Sequence, residues 1–316
     1  MKKLSILIWH IHGAYLTAIT QTEHNWYVPI KPDNAEGYIG RGKDSTMPSY
    51  VREVPADQVK DLELDLVIFQ TPKNYRVDQY EILSESQRQT LPGIYLEHNT
   101  PEPHPTETLH PASGNGTVQL VHVTHYNQLM WDNGTAPTCV IEHSVAIDST
   151  IRYSGQRPEG ICVINNMQHR GRIAGYDLFK TLRKRVPLTT VGMDAEAIGG
   201  LGEIHYRNLH RTVAEYRFLF SPMRYSSLPL AVIEALHIGM PIVALATTEL
   251  PTVIENGIHG FVSNDPDILA ERMQFLIDNP ETAARMGENA RQLAQERFGI
   301  QRFVADWNRL FAGITN

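Results

Sequence analysis

The chain has 316 residues, with 28 lysines and arginines against 35 aspartates and glutamates and a formal net charge of −7. That balance leaves no electrostatic footprint for nucleic acid, and a composition 42% hydrophobic and 20% charged is that of a soluble globular protein long enough for two domains. No apolar run reaches the roughly 20 residues a membrane-spanning helix needs, and the only cysteines, Cys139 and Cys162, sit in strand-like runs, as buried thiols of a reducing, cytoplasmic compartment do.

The opening stretch MKKLSILIWHIHGAY has two lysines before a short apolar run. His10 and His12 interrupt that run and no small-residue cleavage site follows closely, so it reads as a first strand rather than a secretory leader. Further short β-branched runs recur along the chain: LDLVIFQ, GIYLEHN, TVQLVHVT, TCVIEHSV, GICVIN, LTTVG, RFLFS, PIVALA and GFVS. Most are continuously apolar, as strands covered on both faces are. Helical patterns such as GYDLFKTLRKRV and HYRNLHRTVAEY alternate with them, which predicts an α/β architecture with parallel sheets.

The polar, turn-rich segment 147–160 marks a seam. It sets a Rossmann-like N-terminal domain over 1–148 against a Rossmann-like C-terminal domain over 149–298, with 299–316 as a last helix after a break near Phe298 and Gly299. Two long Gly- and Pro-rich loops, 31–50 and 99–116, interrupt the first domain; loops of that length are functional or mobile. Sequons at Asn115 and Asn133 matter only in a secreted protein.

The segment RYSSLPLAVIEALHIGMPIVA, residues 224–244, places one acid, Glu234, inside an apolar helix. Ser226 or Ser227 is suited to cap that helix, Pro229 to its first turn, and Gly239 with Pro241 to its end. A strand–loop–helix–strand unit points the helix N-terminus into the crevice where open α/β sheets bind ligands, and free N-terminal amides attract phosphates. About two turns in, Glu234 is placed to accept hydrogen bonds from a ribose diol; the helix pattern alone fits equally a glutamate on the rim of a core helix.

In order, SP, SSLPLAVIEALHIGMPIVA, TTELPTVIENGIHGFV and DPDILAERMQFLIDNPETAARMGENAR resemble the donor-binding half of retaining GT-B glycosyltransferases of the family 4, group 1 type. The resemblance covers residues 160–316 well and the N-terminal half more loosely. It implies a GT-B fold, two Rossmann-like α/β/α domains facing across a cleft, with the last helix returning to the first domain. It implies transfer of a sugar from a nucleotide-diphosphate donor with retention and without metal or other cofactor, UDP- or GDP-sugars ranking ahead of ADP-sugars. By the same resemblance Glu234 takes the ribose, with Ser227 and Leu228 in the donor loop and the Gly13 loop near the donor. Arg170 and Arg172 take the diphosphate, with Arg224 as a third cation, since arginine suits bidentate phosphate contacts; a solvated basic loop is the other reading of that region. His98 would touch the transferred sugar, and His12, His125 and Asn99 would line the acceptor side.

There are departures. Ser226 stands eight positions before Glu234, at the catalytic place where the family carries its first acid, Thr252 replaces the glutamate of a Gly-x-Pro-Glu turn, and Ala174 replaces a lysine. Ser226 favours a second reading, a non-catalytic nucleotide-sugar or carbohydrate-binding protein; a sugar-nucleotide epimerase is a third. Fourteen histidines invite a metal site, but HIH and HVTH fix no third ligand, the latter placing His122 and His125 on opposite faces of a strand; alternatively His125 lines the cleft and opens the helix YNQLMWD. The acceptor stays open among saccharide, lipid, small molecule and protein, as does peripheral contact with a membrane; no nucleic acid partner is expected.

Overall fold

The computed structural model describes residues 2–42 and 47–315, so residues 43–46 of the loop 31–50 lie outside the described residues. The chain divides into unit 1, Met1–Ala146 with Ile300–Asn316, and unit 2, Ile147–Gly299.

Unit 1 is built on seven parallel strands: β1 Ser5–Ile8, β2 Asn25–Ile30, β3 Arg52–Pro55, β4 Leu66–Phe69, β5 Gly93–Glu97, β6 Val118–His122 and β7 Thr138–Val140. Their order is β3-β2-β1-β4-β5-β6-β7, so the winding reverses between β1 and β4. Successive side chains go to opposite faces. Ile6 and Ile8 join Trp26, Ile68, Ile94 and Leu96 on one side, while Leu7 and Trp9 join Val67, Phe69, Tyr95 and Leu120 on the other. Apolar packing on both faces is why these strands read as unbroken apolar runs.

The helix Ile300–Thr315 covers the first of those faces, burying Phe303, Trp307 and Phe311 at four-residue spacing. Trp307 Nε1 donates to the Tyr15 hydroxyl at 3.2 Å, and Arg302 donates to the carbonyls of Glu142 and His143. Strands β2 and β3 are absent from the sequence reading. Pro29 interrupts the first, yet β2 lies between β1 and β3, where its prolyl carbonyl accepts from Gly40 N–H. The second is four residues long, two of them exposed charges.

Unit 2 carries a second parallel sheet: β8 Arg157–Val163, β9 Leu188–Val191, β10 Tyr216–Ser221, β11 Ile242–Ala244 and β12 Gly260–Val262, in the order β12-β11-β10-β8-β9. Here the winding reverses between β8 and β10. Cys162, Ile164, Phe218, Phe220 and Val243 pack against Phe179 and Leu182 of one helix and Leu269, Met273 and Leu276 of another. Gly260 takes φ +145° beside β11, where a Cβ would stand 1.9 Å from the Ile242 carbonyl oxygen. No helix among the described residues is long and apolar enough to cross a membrane.

Two local expectations are corrected. The helix Leu230–Ile238 has Pro229 at its N-cap and no side-chain cap, so neither Ser226 nor Ser227 caps it: they stand too far upstream of the first turn. Its other end closes on Gly239 at φ 92°, as expected. The strand reading of His125 is the second: β6 stops at His122, and the Thr124 hydroxyl accepts from Asn127 N–H to start a helix at His125, which is where the alternative reading of YNQLMWD puts the helix opening.

All four tryptophans, Trp9, Trp26, Trp131 and Trp307, lie in unit 1, so their fluorescence follows that unit. Trp307→Ala should lower its stability by about 3–5 kcal/mol, the scale of emptying a large buried aromatic site. Denaturant titration read by the remaining tryptophans checks this; an unchanged midpoint would show that the last helix adds nothing to the unit 1 core.

Candidate functional site

In unit 2 a cavity of about 230 Å³ opens at the β8–β10 reversal, the place where doubly wound sheets hold ligands. Val163, Ile164 and Asn165 at the end of β8, Leu219, Phe220 and Ser221 at the end of β10, and residues 229–232 of the following helix line it, with Ser226 and Arg170. Val232 N–H donates to the Pro229 carbonyl at 2.9 Å. The first two amides of the helix, those of Leu230 and Ala231, have no acceptor one turn back and no side-chain cap among the described residues, and both residues line the cavity. Arg170 closes the short helix Met167–Arg170, is exposed, and makes no ion pair among the described residues. Asn165 is held by its side-chain oxygen, which accepts from Met193 N–H at 3.0 Å.

The other two predicted cations are elsewhere. Arg224 grips Asp177 through two bonds of 2.6 and 2.9 Å and also donates to the Arg172 carbonyl. Arg172 reaches the same carboxylate at 2.8 Å. Neither lines this cavity: both are engaged by Asp177, the acid of GYDLF, whose carboxyl the Arg224 guanidinium holds below its ordinary pKa. This pair ties the loop after β10 to the start of the Tyr176–Leu182 helix. Gly175 makes the tie close, because at φ +75° a Cβ there would lie 2.1 Å from the Pro222 carbonyl oxygen. Ala174, where the resemblance expects a lysine, is buried in the core.

Glu234 is buried, as its place in the helix predicts, but protein groups meet it. Tyr206 donates its hydroxyl to Oε1 at 3.2 Å, and His210 Nε2 stands 3.4 Å from the same oxygen. Burial, and then the carboxylate itself, raises the Tyr206 phenol. A ligand therefore does not supply all of the hydrogen bonds to this acid, and Glu234 is not among the residues lining the cavity. Ser227 and Leu228 are buried, the Ser227 carbonyl accepting from the Thr248 hydroxyl at 3.1 Å. The sequence reading missed Tyr206 and His210, although their four-residue spacing on one helix face was visible.

In unit 1 the polar groups gather just past the carboxyl ends of strands: His12 after β1, Gln70 after β4, His98 after β5 and His143 after β7. The His12 and His98 rings lie 4.2 Å apart, Tyr15 meets His98 edge-on at 4.7 Å, and His143 stacks on His98 at 6.3 Å. His98 Nε2 bonds Gln70 Oε1 at 3.0 Å, while His12 Nε2 and His143 Nδ1 are buried without a hydrogen-bond partner among the described residues. Burial drives His98 well below its ordinary value, with the two neighbouring rings adding to the effect, and lowers His12. Burial, then His12 and Arg302, pushes His143 down to about 3. Gly13 begins the helix beside His10, whose ring would lie 3.2 Å from an added Cβ. Asn99 is exposed and fixed by its backbone, its N–H donating to Glu97 and its carbonyl accepting from Asn127 and Trp131; His125 is exposed on the next helix. Gln70 and His143 were missed because lone residues at strand ends carry no spacing signal. Among the described residues no group of three or more His, Cys, Asp or Glu side chains is arranged to hold a metal ion.

Residues 195–293 match the family model described as glycosyl transferases group 1. Over 89 residues the chain is 33% identical to an uncharacterized glycosyltransferase of Haemophilus influenzae, covering 27% of this chain and 25% of that one. Over 79 residues it is 35% identical to the D-inositol 3-phosphate glycosyltransferase of Streptomyces griseus, covering 24% and 17%. The matched stretch thus spans a quarter or less of these relatives. Likeness in structure runs further. Sucrose-phosphate synthase of Thermosynechococcus elongatus superposes with a TM-score of 0.72 at 12% identity over 98% of both chains. HepE of Anabaena, in complex with UDP and glucose, does so at 0.69 and 14% identity over 98% of this chain and 100% of that one. The fold is that of the GT-B glycosyltransferases, two α/β units with parallel sheets.

The buried rings give unit 1 an acid limit. His143 and His122, the latter pushed down to about 4 chiefly by burial, take up protons below about pH 6.5 in the unfolded chain but not in the fold. Because the unfolded state binds more protons in that window, stability falls as pH drops from about 6.5 towards 4, by up to about 1.4 kcal/mol per pH unit for each ring. Denaturation midpoints measured near pH 7 and near pH 5 should show the loss, and His143→Gln should flatten it. An identical slope in the variant would contradict the buried neutral ring.

Proposed function

We propose that the chain is a glycosyltransferase whose unit 2 binds the diphosphate of a nucleotide sugar. The observation that carries this is the uncapped N-terminus of the Leu230–Ile238 helix opening, beside Arg170, onto the cavity at the β8–β10 reversal. Backbone amides and a guanidinium gathered at one place suit a diphosphate, and they neutralise the charge that develops on it as the bond to the sugar breaks. In this reading cationic and backbone donors do that work without a metal, and the sugar moves with retention of its anomeric configuration.

Glu234 takes a ribose hydroxyl on the oxygen that Tyr206 leaves, and Tyr206 orients it. Unit 1 handles the acceptor, with His98 meeting a sugar hydroxyl and His12 beside it. The acceptor is a saccharide, lipid, small molecule or protein. HepE in complex with UDP and glucose makes a UDP-sugar the first donor to test. Ser226, which lines the cavity where the resembling family carries an acid, favours a second reading, binding of nucleotide sugars without turnover.

Calorimetry in EDTA with UDP, GDP and ADP separates these. One nucleotide should bind, and Arg170→Ala should weaken it by about 1.5–3 kcal/mol, the scale of hydrogen bonds to a charged group. Failure of all three to bind, or an unaffected Arg170→Ala, removes the donor site. Binding without turnover across an acceptor panel would select the second reading.

A further inference from the structure

We propose that Gln70 is a positioning residue that fixes the proton of His98 on Nε2, so that Nδ1 is kept as a bare acceptor for a sugar hydroxyl. The role given to the sugar rests on the glycosyltransferase reading; the proton's place does not.

The amide of Gln70 is 1% exposed and has few alternatives for its hydrogen bonds. Its Nε2 lies 2.6 Å from the Trp9 carbonyl oxygen at the end of β1. A carbonyl only accepts, so the nitrogen of the amide must face it; turned over, two oxygens would oppose each other at that distance. The remaining atom, Oε1, lies 3.0 Å from His98 Nε2 and carries no hydrogen. His98 Nε2 is therefore the donor. A neutral imidazole has one ring proton, so Nδ1 has none. The ring stays neutral because it is buried, and because its ring neighbours, His12, Tyr15 and His143, offer no counter-charge. The backbone of Gln70 is held as well, its N–H donating to Asn74 Oδ1, and Asn74 in turn donating to Asp78 at 2.7 Å. Gln70 thus links β1, β4 and β5 at the winding reversal of unit 1, and the polarity of the link runs one way, from the His98 ring to the Trp9 carbonyl.

Two-bond proton–nitrogen correlation spectra of the full chain labelled with ¹⁵N-histidine test this, with His98→Gln providing the assignment. The wild type should show His98 as a single Nε2–H tautomer. Gln70→Met, similar in volume but without a strong acceptor, should give a mixture of tautomers. Added UDP-glucose should move the Nδ1 signal in the wild type. An Nδ1–H ring or a mixture in the wild type overturns the proposal, and that spectrum decides alone if Gln70→Met does not fold. A tautomer unchanged in folded Gln70→Met also overturns it. UDP-glucose that binds without moving Nδ1 overturns the hydroxyl contact. A correct tautomer pattern with no UDP-glucose binding supports the positioning by Gln70 and instead counts against the donor reading.

Discussion

One condition sets where most of the polar chemistry of this protein can sit: each sheet is parallel and covered on both faces. Side chains in the central strands are mostly apolar, with a few satisfied exceptions such as Glu97 and Arg217, and most of the polar chemistry gathers at the strand ends and the turns that leave them. Where the winding reverses, two neighbouring turns diverge and leave room between them. Both sheets have such a point, at β1–β4 and at β8–β10, and the groups singled out by sequence and geometry gather close to these two places.

The two ends differ in electrical character. In unit 2 the end is positive: first-turn amides and an exposed guanidinium face a small cavity, while a second set of cations is occupied by Asp177. In unit 1 it is neutral and crowded, with imidazole rings stacked near a tyrosine and polarised through an amide rather than through a carboxylate. A carboxylate is present nearby, Glu97, but its two oxygens are taken by the Asn99 amide and His110. The loop after β5 is thereby anchored without placing a negative charge against His98. A positive end suits a leaving anion, and a neutral end suits hydroxyl groups.

The fold was largely legible because hydrophobic periodicity and turn residues act locally. Ten strands appear as short apolar runs, and Gly239 stops its helix for a reason visible in one residue. What escaped depended on partners distant in sequence. A proline hid β2, although the strand is held by neighbours on both sides. Arg172 and Arg224 looked alike as phosphate cations until the fold set Asp177 between them. Glu234 was recognisable as a buried acid, yet nothing local disclosed that Tyr206, 28 residues earlier, donates to it. Gln70 was invisible for the same reason, since its meaning lies in the Trp9 carbonyl and the His98 ring, 61 and 28 residues away.

The return of the Ile300–Thr315 helix to unit 1 has a bearing on synthesis. Unit 2 is continuous in the chain and has all its residues once Gly299 has been made. Unit 1 begins first but cannot cover its Tyr15, Trp26 and Ile68 face until Phe303, Trp307 and Phe311 have emerged. The usual order, in which the N-terminal domain completes itself while the rest is still being made, is therefore reversed. The first half of the polypeptide waits with an open apolar face while the second half is translated, and that interval is when chaperones would have the most to bind.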